Sequence, residues 1–137
     1  LGFKELYNAR FINKLPRLHA VQSTSIMPIA SAFNNVYWND SMASKTIAGG
    51  ISSISPPRQF QILNALEQSK GSSLAITDEE ILRYQKLLST LEGLYIEPTS
   101  AVAFAGLGKM LNDKVVNKSD NILVPITGLG LKDKPPV

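Results

Sequence analysis

No cysteine occurs in this 137-residue chain, which excludes disulfides, zinc–thiolate centres and a catalytic thiol. A single histidine, His19, excludes an all-histidine metal site within the chain. Charge is sparse: charged residues make up 18% and the net charge is +3. Lys4, Arg10, Lys14 and Arg17 form the densest basic run, but Glu5 interrupts it and no aromatic ladder accompanies it. No nucleic-acid partner is therefore expected. Long apolar runs are missing as well. The longest, Ala101 to Gly108, falls far short of the roughly 20 residues that span a bilayer, so no membrane partner is expected either. The start of the chain lacks a basic segment followed by an apolar run and a small-residue cleavage site. These absences leave a soluble, cytoplasmic protein as the expectation. The chain opens on Leu1 rather than Met and enters Gly2-Phe3-Lys4-Glu5-Leu6 abruptly, which suggests a truncation or a proteolytic product.

What is present is enough for a core. Hydrophobic residues make up 44% of the chain, so one folded domain, or a large piece of one, is expected over 1–137. Phe3, Leu6, Tyr7 and Phe11 share one face of a helix over 3–12, which Pro16 closes off. Leu18 to Gln22 reads as a short strand. Pro28 opens a helix carrying Ile29, Ala32, Phe33 and Val36. Residues 37–57 hold Asn39-Asp40, Gly49-Gly50, several serines and Pro56-Pro57, and read as a long irregular loop. Helix resumes from Gln59 to Ser69, with Phe60, Leu63 and Leu66 in phase and Gly71 as its stop. Ser73 to Ile76 is a second strand. Thr77-Asp78-Glu79-Glu80 is a capping box for a helix whose core face is Ile81, Tyr84, Leu88 and Leu91. The helix from about Thr99 to Leu111 is apolar nearly all round and should be buried. Asn121 to Ile126 reads as a third strand. Strands alternating with helices predict an α/β fold with a parallel sheet and right-handed crossovers.

Thr127-Gly128-Leu129-Gly130 follows that last strand directly. A small hydroxyl at a strand's C-terminal end stands where open α/β sheets bind ligands, and glycines allow close backbone approach. The same spacing also fits a threonine that merely caps a turn. Glu97, before Pro98, sits at the entry to the buried helix, where a carboxylate can simply serve the helix dipole. Thr99 and Ser100 read as caps of that helix. Lys132 and Asp133 read as a surface ion pair, and His19 as a half-buried strand residue. Tyr37 and Trp38 lie in the irregular loop as a partner contact or an anchor.

Two stretches carry a resemblance. Glu92 to Leu107, with its Glu-Gly-x-x-x-Glu-Pro-Thr-Ser-Ala pattern, and Ile122 to Asp133, with Thr-Gly-Leu-Gly-Leu-Lys-Asp, look like the C-terminal end of the threonine synthase family. Thr46-Ile47-Ala48-Gly49-Gly50-Ile51, followed by Pro57-Arg58, fits the same family, in which this segment passes near the active site. Arg58 is at most an anion contact. The family belongs to the fold-type II pyridoxal-phosphate enzymes. The resemblance implies a three-layer αβα arrangement, part of the large domain of such an enzyme. It implies pyridoxal phosphate as the cofactor of the full-length parent. Thr127 would hydrogen-bond the pyridine nitrogen, Gly128 would stand beside it, and Glu97 would lie next to the ring. No catalytic residue is expected here: the Schiff-base lysine, the substrate loop and the phosphate-cradling glycine loop all lie in an N-terminal half that this chain lacks. The implied reaction converts O-phosphohomoserine and water to threonine and phosphate, in an enzyme that is commonly a homodimer. Threonine dehydratase and cysteate synthase share much of the pattern. A free-standing, non-catalytic α/β module that binds a partner or small anion is the reading from a different class.

Overall fold

The computed structural model describes residues 2–132 of the chain. Two strands form its centre, β1 (His19–Ser23) and β2 (Ser72–Ile76). They pair in parallel, from His19 opposite Ser72 to Ser23 opposite Ile76. Side chains alternate across a sheet with period two, so each face has its own set. On one face Gln22 Oε1 accepts from the amides of Ile29 and Ala30, at 2.8 and 2.9 Å. Those residues open α2 (Pro28–Asn34), and Asn34 Nδ2 returns to Ser73 O at 2.8 Å. Helix α3 (Gln59–Gln68) packs beside α2 on this side. On the other face His19, Val21, Ser72 and Leu74 meet α5 (Pro98–Asn112). Helix α4 (Asp78–Glu92) packs along α5. The result is the expected αβα layering with a parallel sheet, here two strands wide among the described residues.

Close approach of α5 to the sheet depends on its small residues. A Cβ on Gly106 would stand 2.5 Å from Val21 Cγ2, so only glycine lets the helix lie this near β1. Ala48, Ile76, Ile81, Ile96, Ala101, Val102 and Ala105 form the core, each at most 2% exposed. Burying an isoleucine such as Ile81 contributes about 1.5–3 kcal/mol. The capping box is present as read: Thr77 Oγ1 accepts from Glu80 N at 3.2 Å, and Glu80 Oε2 accepts from Thr77 N at 3.0 Å. Gly93, in the left-handed conformation at φ +67°, ends α4.

The structure corrects several expectations. Asn121–Ile126 is not a strand: Ile122, Leu123 and Ile126 are 42%, 86% and 43% exposed, and no described strand lies beside them to pair with. An apolar run becomes a strand only when a neighbour satisfies its backbone. The first helix, α1, runs Gly2–Asn8 rather than 3–12. Arg10 turns left-handed at φ +62°, and Phe11 N reaches back to Leu6 O at 2.9 Å, which closes the helix early. Phe3, Leu6, Tyr7 and Phe11 are all exposed, so their shared face covers no core. Phe60 and Leu91 likewise face outward, at 78% and 68% exposure, while Gln85 takes the buried place on α4. After α3 the left-handed residue is Lys70 and not Gly71. Gly71 is needed for space, because a Cβ there would meet Leu18 O at 1.6 Å.

Candidate functional site

The polar groups concentrate at the C-terminal ends of β1 and β2 and at the start of α5, where α/β sheets place ligands. The chain reaches α5 through Tyr95-Ile96-Glu97, which lies against residues 128–130. Ile96 bridges Leu129 in antiparallel sense, Glu97 N donates to Gly128 O at 3.1 Å, and Gly130 N donates to Tyr95 O at 2.9 Å. The buried Gln85 anchors this strap by donating to Ile96 O at 2.7 Å. Thr127 and Gly128 are thereby fixed over the first turn of α5.

Ser100, 2% exposed, is the centre of the contact. Its Oγ accepts from Thr127 N at 3.0 Å and Gly128 N at 3.1 Å, and lies 2.9 Å from Thr127 Oγ1. Thr127 Oγ1 in turn donates to Glu97 Oε1 at 3.2 Å. Gly128 has no room for a side chain: a Cβ would stand 2.5 Å from the Glu97 carboxyl carbon. All three residues assigned from the sequence, Glu97, Thr127 and Gly128, therefore meet in one cluster. Thr127 reaches it from an irregular segment rather than from the end of a strand, and its side chain is exposed.

Ser100 is the member of this cluster that the sequence reading missed. It was expected to cap α5, but α5 has no side-chain cap and the serine bonds 27 and 28 residues downstream instead. Thr99 is no cap either: its Oγ1 accepts from Gly50 N at 3.1 Å. This ties the Thr46–Ile51 loop to α5. The other end of that loop is held by Asp78, whose carboxylate accepts from Thr46 Oγ1 at 2.7 Å and Ile47 N at 3.0 Å, with Ser23 Oγ at the longer distance of 3.4 Å. The loop that the resemblance set near an active site is thus secured to the starts of both α4 and α5, next to the Thr127 cluster.

The remaining candidates stand apart from it. His19 is half-buried at the start of β1, with Nδ1 2.7 Å from Ser72 Oγ. Burial, and secondarily the positive charge of Arg17, push its pKa below the ordinary value. Arg58 is exposed. Tyr37 and Trp38 line a cleft of about 450 Å³ together with Pro28, Asp40 and Gln59, and the buried Trp38 Nε1 has no partner. The expected Lys132–Asp133 pair lies outside the described side chains. No helix among the described residues is long and apolar enough to cross a membrane.

A profile of the family described as "Pyridoxal-phosphate dependent enzyme" matches residues 1–128. Threonine synthase of Methanocaldococcus jannaschii is 38% identical over 138 aligned positions, covering 96% of this chain and 33% of that protein. Threonine synthase of Mycobacterium tuberculosis (strain ATCC 25618 / H37Rv) is 36% identical over 132 positions, covering 96% of this chain and 35% of that protein. The chain thus spans about a third of the length of these curated relatives. Among solved structures, a threonine deaminase from T.th. superposes with a TM-score of 0.57 at 22% identity, covering 86% of this chain and 41% of that one, a likeness of fold.

Proposed function

This chain belongs to the pyridoxal-phosphate dependent enzyme family, and from that premise we propose that it is the C-terminal part of the catalytic domain of a threonine synthase. The parent would be a cytoplasmic homodimer converting O-phosphohomoserine and water to threonine and phosphate. The reading is carried by the convergence of Glu97 with Thr127, 30 residues on, and the adjacent Gly128, on one wall built around Ser100.

The residues fit a pyridoxal ring in three respects. Thr127 is an exposed residue whose hydroxyl oxygen is held by Ser100. The Gly128 position, bare of side chain, lets the Glu97 carboxylate lie against the backbone next to Thr127. The Glu97 carboxylate flanks both. When bound, the cofactor supplies the electron sink for carbanion chemistry at the substrate. The chain's own part is orientation and proton control. Thr127 would hold the pyridine nitrogen through a neutral hydroxyl, which does not lock a proton on that nitrogen as a carboxylate would. The Thr46–Ile51 loop, pinned by Asp78 and Thr99, would close one side of the approach. The lysine that holds the cofactor covalently and the loop that cradles its phosphate are assigned to the N-terminal half of the parent.

The test is an assay of the complete parent enzyme. Release of phosphate from O-phosphohomoserine with formation of threonine is the expected result. Release of ammonia from threonine, without use of O-phosphohomoserine, would assign the chain to a dehydratase instead.

A further inference from the structure

Ser100 lies in the first turn of α5, where a serine hydroxyl ordinarily serves its own helix. Here it is committed elsewhere, and counting its bonds fixes their direction. A serine hydroxyl has one hydrogen and two lone pairs. The amides of Thr127 and Gly128, at 3.0 and 3.1 Å, take both lone pairs. Two acceptors are in reach of the hydrogen: Thr127 Oγ1 at 2.9 Å and Gly128 O at 3.5 Å. The first lies within the ordinary range for O–H···O bonds and the second does not. Ser100 therefore donates to Thr127 Oγ1. Thr127, with that lone pair filled, turns its own hydrogen to Glu97 Oε1 at 3.2 Å, a long contact for two oxygens. The Thr127 proton is directed but weakly held.

We propose that Ser100 is the positioning residue of this site: it holds the Thr127–Gly128 turn by its two amides and aims the Thr127 proton at an acceptor nitrogen of the bound ring. The inference rests on the reading of Thr127 as the residue that meets the pyridine nitrogen. It adds a residue that never touches the ring yet decides whether the one that does is a donor. Ser100 itself is only 2% exposed, so its hydroxyl is committed to these partners rather than to bulk water.

The test compares Ser100→Ala, Ser100→Thr and Thr127→Val in the 137-residue chain, with folding followed by circular dichroism. One readout needs no cofactor: amide hydrogen exchange at Thr127 and Gly128, with Gln85 in α4 as the internal reference. Both amides should exchange slowly in the parent sequence, at least about ten-fold faster in Ser100→Ala, slowly again in Ser100→Thr, and slowly in Thr127→Val. The other readout is the ring-nitrogen resonance of ¹⁵N-labelled pyridoxal phosphate bound to the complete enzyme, unsubstituted or carrying each substitution. It should keep its unsubstituted position with Ser100→Thr, move part-way from it with Ser100→Ala, and move furthest with Thr127→Val. Unchanged exchange in Ser100→Ala, or no recovery in Ser100→Thr, overturns the proposal. Equal resonance positions in Ser100→Ala and the unsubstituted enzyme overturn it too, while leaving the role of Thr127 standing. A ring-nitrogen resonance that Thr127→Val leaves unchanged in the complete enzyme refutes the role of Thr127 itself. Should Ser100→Ala not fold, fast exchange in Thr127→Val overturns the proposal, since the amides would then depend on Thr127.

Discussion

Replacing Asp78 with alanine removes the pin that holds the Thr46–Ile51 loop to the start of α4. The carboxylate accepts from Thr46 Oγ1 at 2.7 Å and Ile47 N at 3.0 Å, while the Ser23 contact at 3.4 Å is too long to count. A hydrogen bond to a charged group contributes about 1.5–3 kcal/mol, and the lower end applies because Asp78 is only half-buried, which gives about 3 kcal/mol for the two bonds. Losing a carboxylate from the first turn of α4 adds about 0.5 kcal/mol through the helix dipole. The Thr77–Glu80 capping box is untouched, so α4 itself should persist. The loss should therefore fall on the loop, including Ala48, its fully buried residue. Urea denaturation should show about 3.5 kcal/mol of destabilisation, and amide exchange should accelerate selectively over residues 46–51. Asp78→Asn, which keeps one oxygen acceptor, should recover part of the loss. A destabilisation below about 1 kcal/mol, with exchange over 46–51 unchanged, would refute the pinning role.

Two further outcomes follow from packing and titration. Gly106→Ala brings a Cβ to 2.5 Å from Val21 and should destabilise the chain by about 1–2 kcal/mol in thermal or urea unfolding, overpacking outweighing the better helix propensity of alanine. Adding Val21→Ala to that variant should recover stability, whereas Val21→Ala alone should lose it. His19 has a folded-state pKa below its unfolded value, so the folded chain binds fewer protons in that window. Stability should be fully present above about pH 6.5 and fall as the pH drops through that value toward the folded pKa; His19→Gln should flatten this slope in urea midpoints measured across the range.

The elements legible in the sequence were those specified by short-range chemistry. The Thr77 capping box, the Pro28 helix start and the buried apolar helix from about Thr99 each state their geometry within a few residues, and the structure has them. Asn121–Ile126 was misread because strand identity depends on a neighbour that local sequence does not encode. Phe3, Leu6 and Phe60 keep helical spacing but face outward, since periodicity says which residues share a face and not what covers it. At the site, Thr127, Gly128 and Glu97 were found through the resemblance, and spacing alone left Thr127 open to a turn-capping role. Ser100 carried no signal: a serine in a helix's first turn looks like a cap, and only the fold reveals that its bonds reach 27 residues downstream.

The most direct measurement is a titration of this purified chain with pyridoxal phosphate, followed by borohydride reduction and mass mapping of the lysines. A chain that supplies the Thr127 wall but not the covalent lysine should show only diffuse, substoichiometric labelling of several surface lysines. Stoichiometric labelling of one lysine would mean that the chain builds a complete cofactor site of its own, and would contradict the assignment of that lysine to another part of the enzyme.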